Sequence, residues 1–145
     1  MNTRNMIALK GTRNAGKTKT LNSLIEKLES SNNFEQIYKR GSVDTIVVFV
    51  VKNIKVGIST GGDDESIVEE RVGKLIECGC DIIVSATKTW GKTLDILNKL
   101  AGKHNYSVEE VDKSYADKND CNDQSIKNEL DAEKIFNRIN EIING

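Results

Sequence analysis

Gly11, Thr12, Arg13, Asn14, Ala15, Gly16, Lys17 and Thr18 stand in unbroken succession near the start of the chain. They spell G-x-x-x-x-G-K-[ST], a spacing that makes a glycine-rich loop whose backbone N–H groups surround an anionic phosphate. Lys17 is then expected on the β- and γ-phosphates and the Thr18 hydroxyl on Mg²⁺. Gly11, Arg13, Asn14, Ala15, Gly16, Lys17, Thr18 and Lys19 are the expected nucleotide-binding residues.

Such a loop works only between a strand and a helix, and the flanking residues predict both. Met6, Ile7, Ala8 and Leu9 form a short apolar run into Gly11, and from Lys17 the apolar positions Leu21, Leu24, Ile25 and Leu28 recur at helical spacing. The helix aims its positive dipole end and its unpaired first-turn N–H groups at the loop. This strand, loop and helix resemble the Walker A region of the P-loop NTPase superfamily. The resemblance implies phosphate binding and does not name a reaction.

The rest of the chain predicts an α/β fold. An apolar β-branched run at 45–51, the pair Lys52 and Asn53, and a second run at 54–58 read as an antiparallel hairpin. A helix is expected from about Asp63 with Ile67, Val68, Val72, Leu75 and Ile76 apolar, ending near Gly79. A buried strand follows at 81–86, then a helix carrying Leu94, Leu97, Leu100 and Ala101, a weakly alternating strand at 105–111 and a polar loop at 112–122. Ile126, Leu130, Ile135, Phe136, Ile139, Ile142 and Ile143 place a last helix on the sheet. Strands alternating with helices predict a three-layer sandwich: a mainly parallel sheet covered on both faces, with one antiparallel strand from the hairpin. The element order is similar to the small Ras-type layout of P-loop proteins, which implies a P-loop NTPase fold in one domain, residues 1–145. Ligands of such sheets lie beyond the carboxyl ends of the strands, at the loops 11–16, 59–65 and 87–92.

Phosphoryl transfer asks for a cradle, a lysine, Mg²⁺, an acidic metal partner and a group that orients the nucleophile. The strand ending at Ile58 runs into Ser59, Thr60, Gly61 and Gly62 where a Walker B aspartate would stand, so the acidic partner falls to Asp63 or Asp64. On a glycine-flanked loop either can swing toward a metal, and either can equally begin the next helix by complementing its dipole. Lys17, Asp63 and Asp64 are the expected catalytic residues, with Thr18 and Asp63 on the metal. Lys88 and Lys92 can meet phosphate or solvent, and Thr89 or Thr93 can cap the helix that follows. Thr87, Lys88, Thr89 and Trp90 imitate a guanine-reading [NT]-K-x-D motif with tryptophan in place of the aspartate, which favours ATP over GTP. Trp90 is then a base-stacking or a core aromatic. Asp117, Lys118, Asn119 and Asp120 repeat the imitation inside a polar loop.

Composition narrows the partners. A net charge of −1 without a basic block gives nucleic acid no support, and no apolar run is long enough to cross a bilayer. The N-terminus lacks a signal-peptide pattern, so a cytoplasmic protein is expected. Cys78, Cys80 and Cys121 read as reduced thiols, since two close thiolates and the distant His104 make a poor metal set. The expected activity is that of an ATP-binding, Mg²⁺-dependent hydrolase or phosphotransferase acting on a small phosphate acceptor. The alternative is a nucleotide-dependent switch read by a protein partner.

Overall fold

A computed structural model describes residues 4–12, 15–41, 44–117, 119–120 and 122–145. Among them the chain forms β1 (Asn5–Gly11), α1 (Lys17–Ser30), β2 (Glu35–Arg40), β3 (Ile46–Val51), β4 (Ile54–Ser59), α2 (Glu65–Glu77), β5 (Ile82–Lys88), α3 (Thr93–His104), β6 (Ser107–Asp112) and α4 (Asp123–Asn144). The strands make one sheet in the order β2-β3-β4-β5-β1-β6. β3 runs antiparallel to both its neighbours, while β4, β5, β1 and β6 pair in parallel. The α/β architecture, the mostly parallel sheet and the hairpin follow the pattern of the sequence.

Strand alternation sends the side chains into two cores. On one face Ile7, Leu9, Ile58 and Val84 pack with Leu21, Leu24 and Leu28 of α1 and Ile135 and Ile139 of α4. On the other, Met6, Ala8 and Ile83 pack with Val68, Val72 and Leu75 of α2 and Leu97 and Ala101 of α3. The β3–β4 turn is made by Lys52 and Asn53, both left-handed at φ 51° and 66°, which suits the twist of a two-residue hairpin.

This layering fixes where a ligand can approach. β1 leads into α1 on one face, whereas its neighbour β5 leads into α3 on the other. Adjacent parallel strands whose helices leave to opposite faces open a crevice at their carboxyl ends. Gly11 and Lys88, paired in register, lie at that crevice.

Two elements depart from expectation. β2 is an additional edge strand, mostly exposed along its length and irregular between Gln36 and Tyr38. Its polar residues carry no period-2 apolar signal, and its charges and irregularity protect a sheet edge from pairing with other chains. Lys113, within the expected polar loop, is instead buried and donates to Asp131 of α4 at 2.8 Å. Ser114 adds its N–H at 2.8 Å and its hydroxyl at 2.7 Å to the same carboxylate.

Burial pushes the Asp131 carboxyl up, but Lys113 and Ser114 outweigh it and hold the group below its ordinary value. Removing one partner of a buried pair strands the other charge. Lys113→Met is therefore expected to cost about 3–5 kcal/mol, read as a lower urea midpoint at unchanged slope. A carboxyl with a depressed folded value stabilises above the unfolded value and loses that contribution as pH falls through the folded one. The stability advantage of the native chain over Asp131→Asn should thus shrink only below pH 3.8.

Candidate functional site

The start of α1 is built against the usual rules of a helix end. Its cap position is Gly16, with φ 95°, which offers no side chain to the first-turn N–H groups, and no acidic residue occupies that turn. Lys17 and Lys19 stand there instead, adding positive charge to the positive end of the dipole. Such an end suits an anion or water. Gly16 is required twice over: for its left-handed backbone, and because a Cβ would lie 2.5 Å from Asn128 Oδ1 and 2.7 Å from Gln124 Nε2 of α4.

Lys17 is buried, and its ammonium closes the crevice between β1 and β5. Nζ donates to the carbonyl of Gly11 at 2.9 Å, to the carbonyl of Thr87 at 3.2 Å and to Asp63 Oδ1 at 2.8 Å. An ammonium has three protons, so these contacts saturate it. A phosphate reaching Lys17 must displace one of them, and the half-exposed carboxylate of Asp63 is the partner free to leave. The Thr18 hydroxyl meanwhile donates to the carbonyl of Thr60 at 3.4 Å, on the loop that carries Asp63.

The two neighbouring aspartates have divided roles. Asp64 caps α2: its Oδ1 accepts from the N–H groups of Ser66 at 2.8 Å and Ile67 at 3.3 Å and from the Ser66 hydroxyl at 2.6 Å. The Ser66 hydroxyl and those N–H groups hold its carboxyl below the ordinary value. Only Asp63 faces Lys17. The glycines before it are packed rather than open, because a Cβ on Gly62 would lie 2.3 Å from the carbonyl oxygen of Ala86 and one on Gly61 2.9 Å from Ile67. The pair lets the chain press on β5, which a freely swinging loop would not need.

On the far side of β5, neither threonine caps α3. Lys92 is the cap residue, without a side-chain bond, and the Thr93 hydroxyl accepts from the N–H of Lys88 at 2.8 Å. Trp90 is 76% exposed, so it is no core aromatic. Cys80 is buried in an apolar setting that pushes its thiol up to about 12, an inert state, and Cys78 is half-buried. Arg13, Asn14, Lys118 and Cys121 lie outside the described residues.

Gly16, Lys17, Thr18, Lys19, Asp63 and Gln124 line a cavity of about 320 Å³, so the expected loop residues and Asp63 come together. No family model matches this chain, and no curated protein does. The site therefore rests on its own geometry.

Several of its parts carried no signal in the sequence. Gln124 and Asn128 reach the loop from α4, where Asn128 accepts from the Thr20 hydroxyl at 3.2 Å. Tyr115 Oη accepts from the Thr12 N–H at 3.3 Å, the first cause of its lowered phenol value. Nothing local marks these residues, because each contact is made only when the β6–α4 connection folds back across the loop. Among the described residues no group of three or more His, Cys, Asp or Glu side chains could hold a metal, so a dication here would share Thr18 and Asp63 with oxygens of a ligand and water.

The packing of Gly62 gives a direct test. Gly62→Ala is expected to destabilise by at least about 1–3 kcal/mol, since β5 backbone must move to admit the methyl. Gly73→Ala, in α2 with nothing within 4 Å of the new Cβ, should instead stabilise by about 0.5–1 kcal/mol. Thermal denaturation of both variants checks the pair.

Proposed function

We propose that the chain is a P-loop protein that binds ATP with Mg²⁺ at residues 11–18 and cleaves or transfers the terminal phosphate. The observation that carries this reading is the uncapped, lysine-bearing start of α1 at the crevice between β1 and β5, with the Lys17 ammonium buried at its centre. The donor set suits a polyphosphate: open first-turn N–H groups, one buried ammonium and the second lysine, Lys19. Thr18 and Asp63 would hold Mg²⁺, which when bound neutralises charge on the phosphate oxygens. Lys17 exchanges Asp63 for phosphate oxygen while keeping its strand-end carbonyls, and so stays oriented through the exchange. Asp63, released, becomes available to the metal. The 87–90 loop lacks the guanine-reading carboxylate, with Trp90 in its place.

A second reading, a nucleotide-dependent switch, is favoured by one contact. The Lys17–Asp63 bond must break on binding, and Asp63 directly precedes the cap of α2, so occupancy of the site bears on that helix. Phosphate release measured with and without small acceptors separates the two: acceptor-dependent turnover indicates a transferase, slow acceptor-independent turnover a switch.

ATP with Mg²⁺ at a hundred times its dissociation constant should stabilise the domain by about 2.7 kcal/mol, seen as a rise in melting temperature. Lys17→Ala should abolish most of that rise, and an undiminished rise would refute the phosphate site. Asp63→Asn separates the two duties of the carboxylate. Losing the competitor for Lys17 should tighten metal-free ATP binding by roughly threefold to tenfold, while losing a charged ligand should lower Mg²⁺-dependent turnover by more than about tenfold. Weaker metal-free binding in Asp63→Asn would contradict the exchange.

A further inference from the structure

We infer that the ribose and base of the bound nucleotide lie in the groove between α1 and α4, a nucleoside subsite in which Gln124 stands at the junction with the phosphates. The inference rests on the phosphate site proposed above. Its basis is a second cavity of about 340 Å³, lined by Lys19, Ser23, Gln124, Ser125, Asn128 and Glu129. Lys19 and Gln124 line both this cavity and the one beside Lys17, so the two adjoin at these side chains. Each lies in the size range of small-ligand sites.

Direction follows from the ends of the first cavity. Lys17 and Asp63 mark the end suited to the terminal phosphate and the metal. Lys19 and Gln124 mark the other, and from Lys19 the groove continues to Ser23, one turn along the same face of α1. Thr12, at the start of the loop, is exposed and gives its N–H to the Tyr115 phenol, and Asp63 is paired with Lys17. The α1–α4 seam is the path that leads away from both.

Both ends of that path suit parts of a nucleotide. Beside Lys17 stand the Lys19 ammonium, the Thr18 hydroxyl and the Asp63 carboxylate. In the groove are two hydroxyls, two carboxamides, a carboxylate and the Lys19 ammonium, which offer both donors and acceptors for sugar hydroxyls and base edges. Glu129 is kept an anionic acceptor, because the Ser23 hydroxyl and the Lys27 ammonium hold its carboxyl below the ordinary value. Elsewhere the two helices share an apolar core through Leu24, Leu28, Ile135 and Ile139. The seam stays polar beyond the groove, where a further cavity of about 400 Å³ is lined by Ser30, Ser31, Glu133 and Phe136, and beside the loop Asn128 is buried and hydrogen-bonded to Thr20.

The test compares two probes on the full chain: ATP, and inorganic tripolyphosphate, which has the phosphates without the nucleoside, both titrated calorimetrically with excess Mg²⁺. The native chain should bind ATP more tightly than tripolyphosphate. Ser125→Trp fills the groove from an exposed position of α4, and Ser23→Phe fills it from α1, with circular dichroism confirming the fold of each. Both should weaken ATP by about tenfold or more and leave tripolyphosphate within about twofold. Unchanged ATP binding in the folded variants, a parallel loss of both probes, or equal native affinity for both overturns the subsite while leaving the phosphate site standing. Failure of the native chain to bind either probe overturns the phosphate site and this inference with it.

Discussion

The structure around the crevice depends on one buried cation. An ammonium taken out of water is costly unless its protons are all met, and Lys17 meets them with the carbonyls of Gly11 and Thr87 and with Asp63. Two of these acceptors are the carbonyls of the last residue of β1 and the next-to-last of β5, so a sheet that ends these neighbouring parallel strands level with each other supplies them. Lys17 in turn ties α1 to both strands and to the loop before α2. Fold and site are therefore one requirement: the strand order that opens the crevice also provides the acceptors that a lysine needs inside it.

Behind the loop, α4 supplies polar rather than apolar support. Asn128 meets Thr20 and stands against Gly16, while Asp131 gathers Lys113 and Ser114, and Lys113 lies against Gly11. A glycine-rich loop has few side chains to pack, so hydrocarbon alone cannot fix its path. Hydrogen-bonded groups of defined direction can, and a fully satisfied polar network specifies one geometry more narrowly than a greasy contact would. The cost is sensitivity, since loss of one member leaves the others buried and unpaired.

Local signals made much of this legible. The apolar runs of β1, β3, β4 and β5 and the 3.6-residue spacing of Leu21, Leu24 and Leu28 are properties of neighbouring residues, and neighbours suffice to read them. The strand and helix around the octet at 11–18 were equally open, and β1 ends at Gly11 and α1 begins at Lys17. β2 was not, for its residues are mostly exposed and it is a strand only because β3 lies beside it. Lys113, Gln124 and Asn128 were hidden for a related reason: in sequence they are polar residues in or near a polar stretch, and more than a hundred positions separate Gly16 from its partners on α4. Asp63 and Asp64 show the limit most sharply. Both readings of the pair, metal ligand and helix cap, were chemically sound, and the backbone gave the cap to Asp64 and set Asp63 against the Lys17 ammonium.

That division also limits how the site transmits a change. Gly62 is pressed against the carbonyl of Ala86, and Asp64 is anchored by its bonds to Ser66 and Ile67, so Asp63 is a single residue held between two fixed points. On the proposed reading, exchange at Lys17 would be chiefly a rotation of the Asp63 side chain, with little travel of the loop backbone. For a catalyst this would be an advantage, because a carboxylate that moves by rotation alone returns to the same place and costs little reorganisation. For a switch it sets a condition. Any signal passed to α2 must come from the changed pull on its cap residue, a coupling of the modest size that adjacent sites ordinarily share, about 1–3 kcal/mol, and a partner that reads it must contact the start of α2 itself.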